Sequence, residues 1–259
     1  MHLEGQVAVI TGGTRGIGFG IATAFAANGA RVVLCGRSED KGKQALAELG
    51  LGDRATFHVC DVRVPDQLDA LIDDTVRDFG RVDVLVNNAG GSDGFAPVHQ
   101  LADEAWQNAL DWNINAVFRG TRRVLPHMLA AGYGRIINIS STEGKSGNKA
   151  AVSHYITNKH AINGFTKAVA FEYGPQGITC NAICPGAVET DIMREAGPLV
   201  AEAEGITYEQ FLDIYRGHAK TKQLNTVEEV AAMALLVAGP HSAGINGALL
   251  NVDGGTAEW

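Results

Sequence analysis

The chain has 259 residues, 46% of them hydrophobic and 19% charged, and its 21 basic and 29 acidic side chains leave a net charge of −8. That describes a folded globular chain, and its acidity argues against non-specific nucleic-acid binding. The 32 glycines and 7 prolines follow no three-residue repeat, which excludes a collagen-like chain and assigns glycine to backbone positions where a side chain has no room.

Apolar strand-like runs alternate with helix-period segments from end to end. The sequence predicts strand over 6–11, helix over 16–28, strand over 31–35, helix over 41–49 and strand over 55–60. It continues with helix over 66–79, strand over 82–87, one long helix over 103–131 with Pro126 near its end, and strand over 135–140. Helix over 152–173, strand over 178–183, helix over 227–236 and strand over 248–252 complete the pattern. The strands are nearly continuous apolar runs, which suits a parallel sheet covered on both faces, so the expected fold is a doubly wound (Rossmann) α/β sheet. Thr226-x-x-Glu229 is a capping box that fixes the start of the last helix. Before it lies 184–225, the longest stretch without a sheet strand. A helix is expected around 208–216, and the length suggests a lid. No linker or repeat divides the chain, so residues 1–259 are expected to form a single domain.

The most apolar stretch, 230–252, is interrupted by Gly239-Pro240 and Asn246-Gly247, and no membrane crossing is expected. The first residues lack a basic flank and include Glu4, so no signal peptide is expected and the chain is read as cytoplasmic. Cys35, Cys60, Cys180 and Cys184 contain no Cys-x-x-Cys pair. They read as small buried hydrophobes, and no metal site is expected.

Three signals carry chemistry. The first is Thr11-Gly12-Gly13-Thr14-Arg15-Gly16-Ile17-Gly18, between the first strand and the first helix. A strand-to-helix turn offers free N–H groups and the positive end of the helix dipole, and missing Cβ atoms let a pyrophosphate approach the backbone. The second is Arg37, after the second strand, where a dinucleotide fold recognises the adenosine ribose. Arginine there favours a 2′-phosphate and an acidic residue repels it, so NADP(H) is expected over NAD(H), with Arg15 placed to help. Asp61-Val62 and Asn87-Asn88-Ala89-Gly90 follow the third and fourth strands, at the sheet edge where such folds bind ligands. The third signal is Tyr155 and Lys159, neighbours at i, i+4 on one helix, with Ser141 just after the preceding strand. A nearby ammonium stabilises phenolate, which is expected to lower the tyrosine pKa from about 10 and make it an acid/base group.

These segments, with Asn113, Pro185-Gly186 and Asn251-Val-Asp-Gly-Gly255, stand in the order and approximate spacing of the short-chain dehydrogenase/reductase family, which the whole chain resembles. The resemblance implies a hydride-transferring oxidoreductase. It makes Tyr155 the proton donor to a carbonyl and Ser141 the group that polarises it. Lys159 binds the nicotinamide ribose and lowers the tyrosine pKa, and Asn113 holds a water linking Lys159 to solvent. Asn115 is the near alternative for Asn113. Ser141 and Tyr155 are 14 positions apart, one more than in β-ketoacyl reductases, so Ser140 competes with Ser141. By the same resemblance Gly12, Thr14, Arg15, Gly16, Ile17, Gly18, Arg37, Asp61, Val62, Asn87, Ala89 and Gly90 bind the cofactor. Pro185, Gly186, Val188 and Thr190 line its nicotinamide side.

The 184–225 segment matches in length that of 3-hydroxybutyrate dehydrogenases and some aromatic polyketide ketoreductases. The hydroxyacid enzymes hold a carboxylate with a histidine two residues after the serine and a lysine three before the tyrosine. This chain has Glu143 and Val152 there, which disfavours a small hydroxyacid and leaves Glu143 to accept hydrogen bonds from a hydroxylated or cationic substrate. Lys145, Lys149 and His154 form a basic group that could suit a phosphopantetheine or an acidic carrier. Ile192, Met193, Leu199, Tyr208, Phe211, Leu212 and Tyr215 give the lid apolar surface for a medium-sized ketone. The expected partner is a small carbonyl or alcohol, with neither nucleic acid nor membrane. The alternatives are a β-ketoacyl thioester reductase, a polyol dehydrogenase using NAD(H), and a dinucleotide-sensing regulatory protein. The resemblance also implies a homotetramer, paired through the long helices and through the C-terminal segment ending at Trp259.

Overall fold

The structure, a computed structural model, describes residues 2–147 and 149–257. Trp259, invoked for an assembly contact, lies outside the described residues. Seven strands, β1 (Val7–Thr11), β2 (Arg31–Gly36), β3 (Ala55–Val59), β4 (Val84–Asn87), β5 (Gly134–Ile139), β6 (Ile178–Pro185) and β7 (Leu249–Val252), form one sheet. Their spatial order is β3-β2-β1-β4-β5-β6-β7, and every neighbouring pair is parallel. The doubly wound sheet expected from the sequence is the observed fold.

The side chains of each strand alternate between two cores. Ala8, Ile10, Val84 and Val86 point into one, filled by helix α1 (Gly16–Ala27) and the last helix. Val7, Val9, Val33 and Leu85 point into the other, with Leu68, Leu71 and Ile72 from the helix after β3. With both faces covered, β1, β4, β5 and β6 are buried along their whole length, which is why they read as nearly continuous apolar runs. The remaining helices are α2 (Glu39–Leu49), α3 (Pro65–Phe79), α4 (Asp103–Trp112), α5 (Ile114–Ala131), α6 (Ser153–Tyr173), α7 (Asp191–Ala203), α8 (Tyr208–His218) and α9 (Val227–Ala238).

Two expectations are corrected. The long helix over 103–131 is two helices, broken at Asn113, whose backbone (φ −116°, ψ −94°) is not helical. The break is held by the Asn113 amide, which donates to the Ala109 carbonyl at 2.8 Å and to the Gly91 carbonyl at 2.6 Å. Helix α7 was not foreseen, because Gly197-Pro198 in its interior reads as a stop. Tertiary packing overrides that signal: a Cβ on Gly197 would lie 2.5 Å from the Tyr208 ring, so the glycine is what lets α8 sit against α7. The capping box at Thr226 and Glu229 forms as expected, and Thr207 with Gln210 builds a second one at the start of α8.

Candidate active site

Strand order reverses between β1 and β4, since β2 lies beyond one and β5 beyond the other, and ligands of open α/β sheets bind at such a point. The two strand ends are tied together there. Asn88 Nδ2 donates to the Thr11 carbonyl at 2.9 Å and to the Gly12 carbonyl at 3.1 Å. Above this tie opens a cleft of about 750 Å³.

The glycine-rich turn forms one wall. Gly12 (φ +63°) and Gly16 (φ +54°) adopt the left-handed backbone that glycine favours, and a Cβ on Gly18 would lie 2.4 Å from the Gly12 carbonyl oxygen. Helix α1 begins at Gly16 with no side-chain cap and no acidic residue in its first turn. Its free N–H groups and dipole therefore face the cleft, the arrangement that receives a pyrophosphate. Thr14, Arg15, Ile17, Arg37, Val62, Ala89, Gly90, Gly186 and Val188 also line the cleft, as the sequence suggested.

Several side chains are engaged in ways the sequence did not reveal. Arg15 pairs with Glu195 of α7 at 3.3 Å, instead of standing free for a ribose phosphate. Arg37 lies over the Trp112 ring, 5.3 Å from its centroid. Asp61 lines the cleft, but Arg63 grips both its oxygens, and this bond holds its carboxyl below the usual carboxylate range. Thr190 lines the cleft while capping α7 through the Met193 N–H at 3.3 Å. Asn87 is not in the cleft: its amide donates to Asn138 Oδ1 at 2.9 Å and to Thr121 Oγ1 at 3.3 Å, inside the core. Asn88, from the same Asn87–Gly90 segment, lines the cleft instead, with Ser38, Lys41 and Trp112, which the sequence reading did not name. Lys41, early in the helix after Arg37, was the readable one, as a second cation at the adenosine end.

At the other end, Ser141, Tyr155, Lys159 and Pro185 line the same cleft. Lys159 Nζ lies over the Tyr155 ring, 5.4 Å from its centroid, and donates to the Ile139 carbonyl at 2.9 Å. Burial lowers its pKa from 10.5 to about 8, which leaves it largely charged at neutral pH. The expected fall in the Tyr155 pKa is not found. Tyr155 is half-buried as a residue, but protein surrounds its hydroxyl closely enough for desolvation to raise the pKa, outweighing the hydrogen bond from Ser141. Glu143 pushes the pKa further up.

The alternatives separate clearly. Ser141 stands close enough to Tyr155 to pull its pKa down, whereas Ser140 Oγ donates to the Lys159 carbonyl at 3.3 Å. Asn115 donates to Asp111 on the helix before it, whereas Asn113 Oδ1 is buried without a hydrogen-bond partner among the described residues. A Cβ on Gly90 would lie 2.7 Å from that oxygen and 3.7 Å from Lys159 Nζ, so both atoms border one small space.

The basic group expected near the mouth does not assemble. His154 is fully buried, 2.9 Å from the Asp93 carbonyl, and Lys145 donates to the Leu249 carbonyl and to Asn251. Only Lys149 is exposed, on the Tyr215 hydroxyl at 3.1 Å. Of the apolar lid residues named, Ile192 lines the cleft, while Phe211 and Leu212 are buried with Ala201 in a small core between α7 and α8. The four cysteines are buried free thiols.

A parallel sheet with an uncapped glycine-rich turn at its reversal point, sharing one cleft with a Ser–Tyr–Lys group, defines a nicotinamide-dinucleotide oxidoreductase. The short chain dehydrogenase family model matches residues 6–199, and the chain belongs to that family. It is 39% identical to a Streptomyces coelicolor protein provisionally named a ketoacyl reductase, over 99% of this chain and 98% of that one. It is 36% identical to a D-beta-hydroxybutyrate dehydrogenase of Cupriavidus necator, over 98% of both. A point variant of the actinorhodin polyketide ketoreductase, solved with NADPH, superposes with a TM-score of 0.92 at 39% identity, covering 98% of each chain. The chain is thus an enzyme acting on a CH–OH or keto group. No described helix is long and apolar enough to cross a membrane.

Proposed function

We propose that this chain is an NADP(H)-dependent ketone reductase with Tyr155 as its proton donor, working as one catalytic domain over 1–259 with 184–225 as its lid. The observation that carries this reading is the convergence of Ser141, Tyr155 and Lys159 on the cleft that also holds the free α1 N-terminus and Arg37. The uncapped helix, the glycine cradle and the orphaned Asn113 oxygen fit a nicotinamide dinucleotide. Such a cofactor supplies a hydride to the carbonyl carbon.

The residues do the rest. Ser141 Oγ donates to the carbonyl oxygen and orients it towards Tyr155. The raised Tyr155 pKa keeps the phenol protonated at neutral pH, as a proton donor requires. Lys159, held by the Ile139 carbonyl with its ammonium over the Tyr155 ring, is placed to bind the nicotinamide ribose. Asn113 Oδ1 and Lys159 Nζ hold a water between them, through which the tyrosine is reprotonated. Arg37 and Lys41 at the adenosine end supply the cations a 2′-phosphate needs, and the actinorhodin enzyme's NADPH is consistent with that preference.

A homotetramer is proposed on the exposed aromatics of α5 and α6, Phe118 at 43% and Phe171 at 87% exposure, with light scattering as its test. The cytoplasm, where thiols stay reduced, suits four free cysteines. The reductase reading is tested by initial rates with NADPH and with NADH. The panel is a β-ketoacyl thioester, a cyclic diketone, a bicyclic aromatic ketone and a keto-sugar, with Tyr155→Phe as control. Turnover that is faster with NADPH and lost in the variant supports it. Tight NADPH binding without turnover would favour a dinucleotide sensor.

A further inference from the structure

Glu143 sits two residues beyond Ser141 in the turn that follows β5, its own N–H donating to Ser141 Oγ at 3.1 Å. Its charge also acts on the Tyr155 hydroxyl, so the carboxylate lies near both the serine and the proton donor. One of its oxygens, Oε2, is buried with no hydrogen-bond partner among the described residues, and burial raises its pKa.

The cations within electrostatic reach do not close on it. Lys149 is turned to the Tyr215 hydroxyl at 3.1 Å, His160 Nδ1 lies 3.0 Å from the Ile156 carbonyl, and His218 packs edge-on to the Tyr215 ring. Lys145, in the same turn, is held by the Leu249 carbonyl and Asn251. An unpaired buried acceptor is costly unless a ligand completes it.

We infer that Glu143 is a specificity residue that accepts a hydrogen bond from a hydroxyl carried by the ketone, so that the preferred substrates are hydroxyketones. This rests on the ketone-reductase reading and adds the second anchor of the substrate. A neutral hydroxyl fits better than an ammonium, because the Lys149 cation already acts on this carboxylate and would oppose a further positive charge. A substrate carboxylate would meet Glu143 as a like charge.

The test compares kcat/KM for cyclohexanone with that for its 2-, 3- and 4-hydroxy derivatives and for 4-aminocyclohexanone, in wild type, Glu143→Gln and Glu143→Leu. A hydrogen bond to a charged acceptor gives one hydroxyketone an advantage of about 10- to 100-fold over cyclohexanone in the wild type. That ratio falls in Glu143→Gln, which keeps a neutral acceptor, and approaches one in Glu143→Leu. Glu143→Gln carries the test alone if the leucine variant fails to fold, as judged by its thermal melt and NADPH binding. Equal loss on hydroxylated and plain ketones, or no hydroxyketone preference in the wild type, overturns the inference and leaves ketone reduction standing. A preference for the amino ketone overturns the hydroxyl assignment. No turnover of any ketone by the wild type overturns the reductase reading itself, and this inference with it.

Discussion

Asn113 and Lys159 approach each other across Gly90: a Cβ there would sit 2.7 Å from the asparagine oxygen and 3.7 Å from the lysine nitrogen. The asparagine is held from behind by the Ala109 and Gly91 carbonyls and the lysine by the Ile139 carbonyl, so neither swings away freely. Gly90→Ala is therefore expected to fill the shared space and displace Asn113. Misplacement on that scale costs about 100-fold in turnover. Single-turnover rates against NADPH affinity decide the point: a drop in affinity with an unchanged chemical step would mean that Gly90 matters only for cofactor contact.

Tyr155→Phe removes the one tyrosine among the described residues that line the cleft and keeps the ring over which Lys159 lies. Loss of a positioned proton donor costs about 10²- to 10⁴-fold in kcat. NADPH titrated by its fluorescence is expected to bind the variant about as well as the wild type. Turnover within a factor of a few of wild type would remove Tyr155 from the mechanism.

The Lys159 pKa gives a pH-dependent stability whose sign follows from linkage. The folded protein releases this proton near 8 and the unfolded chain near 10.5, so between those values the unfolded state binds more protons and stability from this group rises with pH. Below pH 8 the full cost of burying the ammonium applies, about 3 kcal/mol for that difference in pKa. Lys159→Met escapes the cost and loses a hydrogen bond worth about 1 kcal/mol. It is expected to be about 2 kcal/mol more stable at pH 7, with the advantage shrinking towards pH 10. Urea midpoints at pH 7 and 9.5 measure this, and a constant gap at the two pH values would show that burial of the charge is not its source.

The parallel sheet and most of the cleft were legible because they rest on local signals. These are nearly continuous apolar runs for buried strands, glycines at a strand-to-helix turn, and an i, i+4 pair on a helix. What was not legible depends on contacts made across the fold. The break at Asn113 is set by a bond to Gly91, and α7 survives Gly197-Pro198 because Tyr208 packs on the glycine. The swap of Asn87 for Asn88 in the cleft follows from which of two adjacent amides faces Asn138. The same limit applies to Tyr155, whose pKa is set more by desolvation than by the lysine one turn along.

Two arginines were expected to read a 2′-phosphate, and their surroundings now rank them. Arg15 is committed to Glu195 at 3.3 Å and must give up that pair to reach a ligand, whereas Arg37 makes no ion pair among the described residues and is steadied over Trp112. A charge-assisted hydrogen bond to a phosphate contributes about 1.5–3 kcal/mol, or roughly 10- to 150-fold in affinity. Arg37→Ala is therefore expected to weaken NADPH by that factor while NADH binding changes little. Arg15→Ala should cost NADPH less, because part of what the phosphate gains there is lost by breaking the bridge to α7. Dissociation constants for both cofactors in both variants, taken at two salt concentrations, measure this. The loss in Arg37→Ala should be smaller at high salt, as screening weakens the phosphate contact in the wild type. Equal losses for NADPH and NADH in Arg37→Ala would mean that the guanidinium supports the adenosine pocket through Trp112 instead of reading the phosphate, and Lys41 would then be the cation to replace.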